Sequence, residues 1–149
     1  MNEIRKYFSI RELVSKRVWN KCGDAAWSFF DPRLFDVVVW LRKGLGIPLV
    51  CNNWANGGSL EQRGFRCNLD GLVKDKTDAG KLYCSAHIRG QAIDLSSGKM
   101  SAKQIRTWIR VHAAQCPHPI RLESDKSAPT WVHIDVCNIS GQKIVEFDA

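Results

Sequence analysis

The chain contains no apolar run of the roughly 18 residues that a membrane-spanning helix requires, so none is expected. Residues 1–17 mix charges with apolar side chains and lack the continuous apolar stretch of a signal peptide. The protein is therefore expected to be cytoplasmic when made and to depend on other means for any delivery to a cell wall. Six cysteines are present, yet no two are spaced Cys-x-x-Cys, which argues against a four-cysteine structural zinc. A mixed site using Cys67, Cys84 and His87 stays open. With no secretion signal, the thiols are expected to be mostly reduced. Internal repeats, low-complexity tracts and linkers are also missing, and 149 residues at 44% hydrophobic content suit one core.

What the chain does have is positive charge. Its net +7 attracts polyanions, which include nucleic acids and the carboxylates and phosphates of bacterial envelopes. Lysines and arginines are spread along the sequence, and no zinc-finger, helix-turn-helix or ribonucleoprotein motif accompanies them. Specific nucleic-acid binding is not expected, and a basic nucleic-acid-binding protein is the weakest of the readings kept open.

Periodicity divides the chain into a helical part, about residues 1–45, and a strand-rich part, about 46–149. Ser9 and Glu12 form a capping box that predicts a helix to about Trp19. Asp31-Pro32 opens a second helix that Gly44 would terminate, and Ser101 with Gln104 opens a third. Residues 47–51 read as a strand, residues 52–82 as a long functional loop, and residues 143–147 as a strand completing the sheet. The expected fold is α+β, with helices packed on a small, mainly antiparallel sheet.

Two segments carry chemistry. His87 lies just ahead of Gly90, and residues 91–95 read as a short strand bearing Asp94. Residues 130–136 alternate, so that Val132, Ile134 and Val136 point one way while Trp131, His133 and Asp135 point the other. If the two strands are neighbours, His87, Asp94 and His133 converge. Two imidazoles and one carboxylate without a fourth ligand fit a catalytic zinc site, which keeps a position for water and lowers its pKa to roughly 7. His112, on a helical pattern, and His118, between two prolines, lack such a frame and read as structural or surface residues.

The stretch Ser-x-His-x-x-Gly-x-Ala-x-Asp of Ser85 to Asp94, together with Trp131-Val132-His133, resembles the zinc peptidases that include D-alanyl-D-alanine carboxypeptidases, D-Ala-D-Ala dipeptidases and phage L-alanyl-D-glutamate endolysins. Hedgehog signalling domains share that fold. The resemblance extends to Asn52-Asn53-Trp54, Gly57-Gly58 and Arg63-Gly64-Phe65-Arg66, covers roughly residues 48–136, and is similar to the short phage-type members. It implies that His87, Asp94 and His133 bind zinc, that Arg66 engages the substrate carbonyl or carboxylate, and that Ser85 helps shape the site.

The general base departs from the family pattern. Many relatives carry glutamate three residues before the last histidine ligand, where this chain has Thr130, which cannot take a proton at neutral pH. Glu123, closing an apparent strand that could return beside residues 131–136, is the favoured base, as in short phage-type members whose glutamate precedes a loop. Asp125 and Asp135 remain alternatives. The resemblance thus implies a zinc metallopeptidase of the endolysin or D,D-carboxypeptidase type, whose partners are peptidoglycan stem peptides; a monomer without membrane insertion is expected. A non-hydrolytic, zinc-containing wall-binding module of the same fold is the alternative.

Overall fold

The computed structural model describes residues 3–149. Four α-helices, α1 (Lys16–Cys22), α2 (Pro32–Leu45), α3 (Gly71–Asp78) and α4 (Ala102–Val111), accompany four strands. These are β1 (Ala92–Leu95), β2 (Ile120–Glu123), β3 (Val132–Asp135) and β4 (Ile144–Phe147). The strands form one sheet in the order β1-β3-β2-β4. The expected α+β class is observed, and the sheet is mixed: β1 and β2 both run antiparallel to β3, whereas β4 joins the edge parallel to β2. Among the described residues no helix is long and apolar enough to cross a membrane.

Period-two alternation gives the sheet its two faces. Ile93, Leu95, Ile120, Leu122, Val132 and Ile134 face the helices and are almost fully buried, in one core with Leu34, Val37, Val38 and Leu41 of α2 and Ile105 and Ile109 of α4. Burying these side chains removes apolar surface from water at about 25 cal/mol per Å², the main force pressing helices onto sheet. The opposite face carries Asp94, His133, Asp135, Arg121 and Glu123. Polar side chains can collect there because the helices cover only the apolar face.

Several local expectations need correction. The Ser9–Glu12 capping box exists, but it starts only a 3-10 turn, Ile10–Glu12. Ser15 then caps α1 afresh, its hydroxyl accepting from Val18 N at 3.4 Å. Asp31 and Pro32 do open α2, which runs past Gly44 to Leu45 and ends at Gly46 in the left-handed region. Gly44 serves packing instead: a Cβ there would lie 2.2 Å from the Trp108 ring of α4. Residues 47–51 make only an isolated bridge, Val50 to Ser96, next to a Pro48 that has no N–H to donate. The long segment 52–82 contains α3, which begins after the buried Asp70.

Candidate metal centre

Register builds half of the centre. Asp94 on β1 pairs directly with His133 on β3. Arg121 and Leu122 of β2 pair with Asp135 and Ile134, so the next step of the same register sets Glu123 across from His133. Asp94, His133 and Glu123 therefore lie in a row over three adjacent strands, on one face, where cross-strand neighbours are about 4.5–5.5 Å apart at Cβ.

Loops build the other half. His87 sits in the 3-10 turn Ala86–Arg89, which Ser85 caps: the Ser85 hydroxyl accepts from His87 N at 3.3 Å. Gly90 closes the turn at φ +66°, its carbonyl accepting from Asp31 N at 3.0 Å, and a Cβ on it would lie 1.9 Å from the Phe29 carbonyl oxygen. Only glycine fits both demands. His87 Nδ1 lies 2.8 Å from the Gly64 carbonyl and donates to it. Gly64 in turn passes so close to Leu13 that a Cβ would be 1.9 Å from that residue's oxygen.

The second-nitrogen contacts set the imidazole tautomers. With its Nδ1–H given to Gly64, His87 presents an Nε2 lone pair. His133 Nε2 lies 3.3 Å from Asp135 Oδ2 and donates to it, which leaves Nδ1 as the lone-pair atom. These two nitrogens face each other at 3.2 Å, and Asp94 Oδ1 is 2.7 Å from His133 Nδ1 and 3.4 Å from His87 Nε2. A tetrahedral ion with ligand bonds of about 2.0–2.1 Å spaces its ligand atoms about 3.3 Å apart, close to this triangle. The donor set His87, Asp94 and His133 can hold a metal ion, and it is the one such group of His, Cys, Asp and Glu among the described residues.

The two imidazoles differ in protonation. Burial lowers the His87 pKa and keeps the ring neutral. Burial also opposes charge on His133, yet its bonds to Asp135 and Asp94 outweigh that and raise its pKa to about 9. A proton on His133 Nδ1 and a metal ion compete for the same lone pair, and both are drawn there by the same carboxylates. Asp94, despite its burial, is held well below the usual carboxylate range by His133 and His87.

A cleft of about 350 Å³ lies over this triangle, and Arg66, Ser85, Arg121, Glu123 and Asp135 line it with the three ligands. Glu123 is almost fully buried, at 8% exposure, and among the described residues no group donates a hydrogen bond to its carboxylate. Burial pushes its pKa above the ordinary carboxylate value, partly opposed by His133. The other two candidate bases are committed elsewhere. Asp125 accepts from Arg106 Nη1 at 2.9 Å. Asp135 accepts from Arg121, His133 and the Cys137 backbone, which makes it the carboxylate that orients a histidine.

Arg66 lies where the sequence suggests, but each of its nitrogens already has a protein acceptor. Nε donates to Gln62 O at 2.6 Å, Nη1 to the Tyr83 hydroxyl at 2.9 Å and Nη2 to Asp94 Oδ2 at 3.2 Å. Cys67 and Cys84 do not join the ligands, and all six cysteines are free. His112 stacks on Trp108 and His118 contacts Asp36 through Nε2, both away from the cleft.

Arg106 was not foreseen. Its side chain is fully buried and donates to the carbonyls of Glu123, Ala128 and Trp131, as well as to Asp125. It thereby suspends the connector that carries the chain from Glu123 on β2 to His133 on β3. A charged residue on the apolar side of a helix pattern was the only available signal. No protein-family model, no curated protein and no solved structure matches this chain.

Proposed function

We propose that the chain is a zinc-dependent peptidase acting on peptidoglycan stem peptides. The observation that carries this reading is the row Asp94, His133, Glu123, which sets an uncommitted, proton-accepting carboxylate beside two of three converging ligands. Nitrogen-rich, three-ligand sets favour zinc over the oxygen-seeking magnesium and calcium. His87, Asp94 and His133 would hold the ion, which when bound supplies Lewis acidity toward a carbonyl and lowers the pKa of water.

This chain's own residues account for the proton traffic. Glu123 takes the proton of the attacking water on a carboxylate oxygen as the water oxygen bonds to the scissile carbonyl carbon. It then delivers that proton to the departing amine as the C–N bond breaks, so no covalent enzyme intermediate forms. Its raised pKa brings it nearer to neutrality, where giving and taking a proton are balanced. Arg66 holds the second oxygen of Asp94, and its charge at the cleft wall stabilises negative charge developing on the carbonyl oxygen. The stem-peptide substrate rests on the resemblance of the residues from Ser85 to Asp94 and from Trp131 to His133.

Digestion of purified cell walls by the zinc-loaded chain, with and without a chelator, tests the reading by mass analysis of released fragments. New peptide amines that vanish on chelation are expected. His87→Ala and Asp94→Ala should lose stoichiometric zinc and activity together, beyond the roughly 10- to 100-fold effects typical of outer-shell changes. Full digestion by either variant, or no amine release by zinc-loaded wild type, overturns it.

A further inference from the structure

Two arginines, Arg66 and Arg121, line the cleft and a third, Arg106, is buried behind it in the grip on the β2–β3 connector, and they differ in what remains free. Arg66 and Arg106 give all their nitrogens to acceptors in the protein. Arg121 does not. Its Nε and Nη2 grip both oxygens of Asp135, at 2.9 and 3.2 Å from Nε and 2.9 Å from Nη2, while the face of the guanidinium lies 4.8 Å from the Phe147 ring centroid. Among the described residues no acceptor binds Nη1, and the side chain, 37% exposed, lines the metal cleft. Asp135 fixes one edge and Phe147 one face, so the Nη1/Nη2 edge is held open in a set orientation. That edge is the fork that matches two carboxylate oxygens.

We infer that Arg121 is the carboxylate-binding residue of the cleft, recognising a free carboxylate on the peptide that flanks the scissile bond. This rests on the peptidase reading above and adds the substrate feature that would be read. Because Arg121 is held in place before binding, little side-chain freedom is lost when a carboxylate arrives. Cell-wall stem peptides carry free carboxylates, and converting one to a carboxamide keeps the shape while removing the charge.

The test uses a set of synthetic stem peptides in which each free carboxylate in turn is a carboxamide. Binding to the zinc-loaded chain is followed by calorimetry, and hydrolysis by mass analysis. At one position, amidation should weaken binding and lower kcat/KM by about 10- to 100-fold in wild type. Arg121→Lys keeps a charge opposite Asp135 but loses the fork. In this variant, checked for zinc content, the acid-to-amide ratio at that position should fall toward one. Discrimination that persists in Arg121→Lys places the carboxylate on the ion or on Arg66 and overturns the inference, as does hydrolysis by wild type with no discrimination at any position. Discriminated binding without hydrolysis overturns the peptidase reading and leaves Arg121 in its role.

Discussion

The two walls of the cleft reach the same precision by different means. On the sheet wall, Asp94, His133, Glu123, Asp135 and Arg121 are placed by strand register, each a fixed step from a hydrogen-bonded neighbour. On the loop wall, His87 and Arg66 are placed by individual hydrogen bonds, His87 by Gly64 O and Ser85 Oγ, Arg66 by Gln62 O, Tyr83 and Asp94, and by two glycines that admit no Cβ. Register is cooperative, since shifting one strand moves every residue on its face. The loop wall is a set of separate constraints, each of which can fail alone. Changes on the sheet wall should therefore alter chemistry while leaving the frame intact, and changes on the loop wall should cost stability and ligand geometry together.

Glu123→Gln gives the largest chemical effect on the sheet wall: zinc content unchanged and turnover of stem peptides reduced by about 10²- to 10⁴-fold. Loss of zinc in that variant would blur the distinction between the walls. Gly90→Ala attacks the loop wall. With the added methyl in collision with Phe29 and φ in the left-handed region, we expect about 2–4 kcal/mol of destabilisation in chemical denaturation, accompanied by weaker zinc binding. A neutral result would mean that the turn shifts freely and that His87 is not held as described.

Asp135→Asn should retain the fold and weaken zinc about 10- to 100-fold in chelator competition, because His133 loses the carboxylate that orients it. The smallest effect concerns Asp31, which ties α2 to the His87 turn through Gly90 and Gln91. Hydrogen bonding from Arg33, in opposition to partial burial, holds its carboxyl down to about 2. A carboxylate with a depressed folded pKa adds stability that is complete above its ordinary value of 3.8 and disappears as the pH falls through about 2. Asp31→Asn keeps a capping side chain but loses the charge paired with Arg33, which should cost up to about 1 kcal/mol at neutral pH, and the gap to wild type should close across that acidic window. A gap independent of pH would remove the charge from the explanation.

The same division explains how much of the molecule was legible in the sequence. Alternation in residues 130–136 reveals that His133 and Asp135 share a face, and the neighbouring short strand offers Asp94, so the ligands could be named. Alternation does not reveal register. The Arg121–Asp135 pair, and the alignment of Glu123 with His133, depend on which residues of β2 and β3 meet, and two strands with similar patterns permit several offsets. On the loop wall, Gly64 and Gly90 stand out as residues but their partners, Leu13 and Phe29, are far away in sequence. The helix α3 was hidden because it has one buried side chain, Val73, and hence almost no apolar stripe. At residue 15 a second capping serine ended the first helical pattern early, a local competition that periodicity over residues 9–19 conceals.

Arg106 grips the connector between β2 and β3 mainly through main-chain oxygens, those of Glu123, Ala128 and Trp131. Such an anchor is indifferent to what side chains the connector displays. Lys126 and Ser127, further along it, make their own contacts to the C-terminal residues, Lys126 with Asp148 at 3.7 Å and Ser127 Oγ accepting from Ala149 N at 3.1 Å, so exchanging them would release those residues while the hold of Arg106 on the backbone stays.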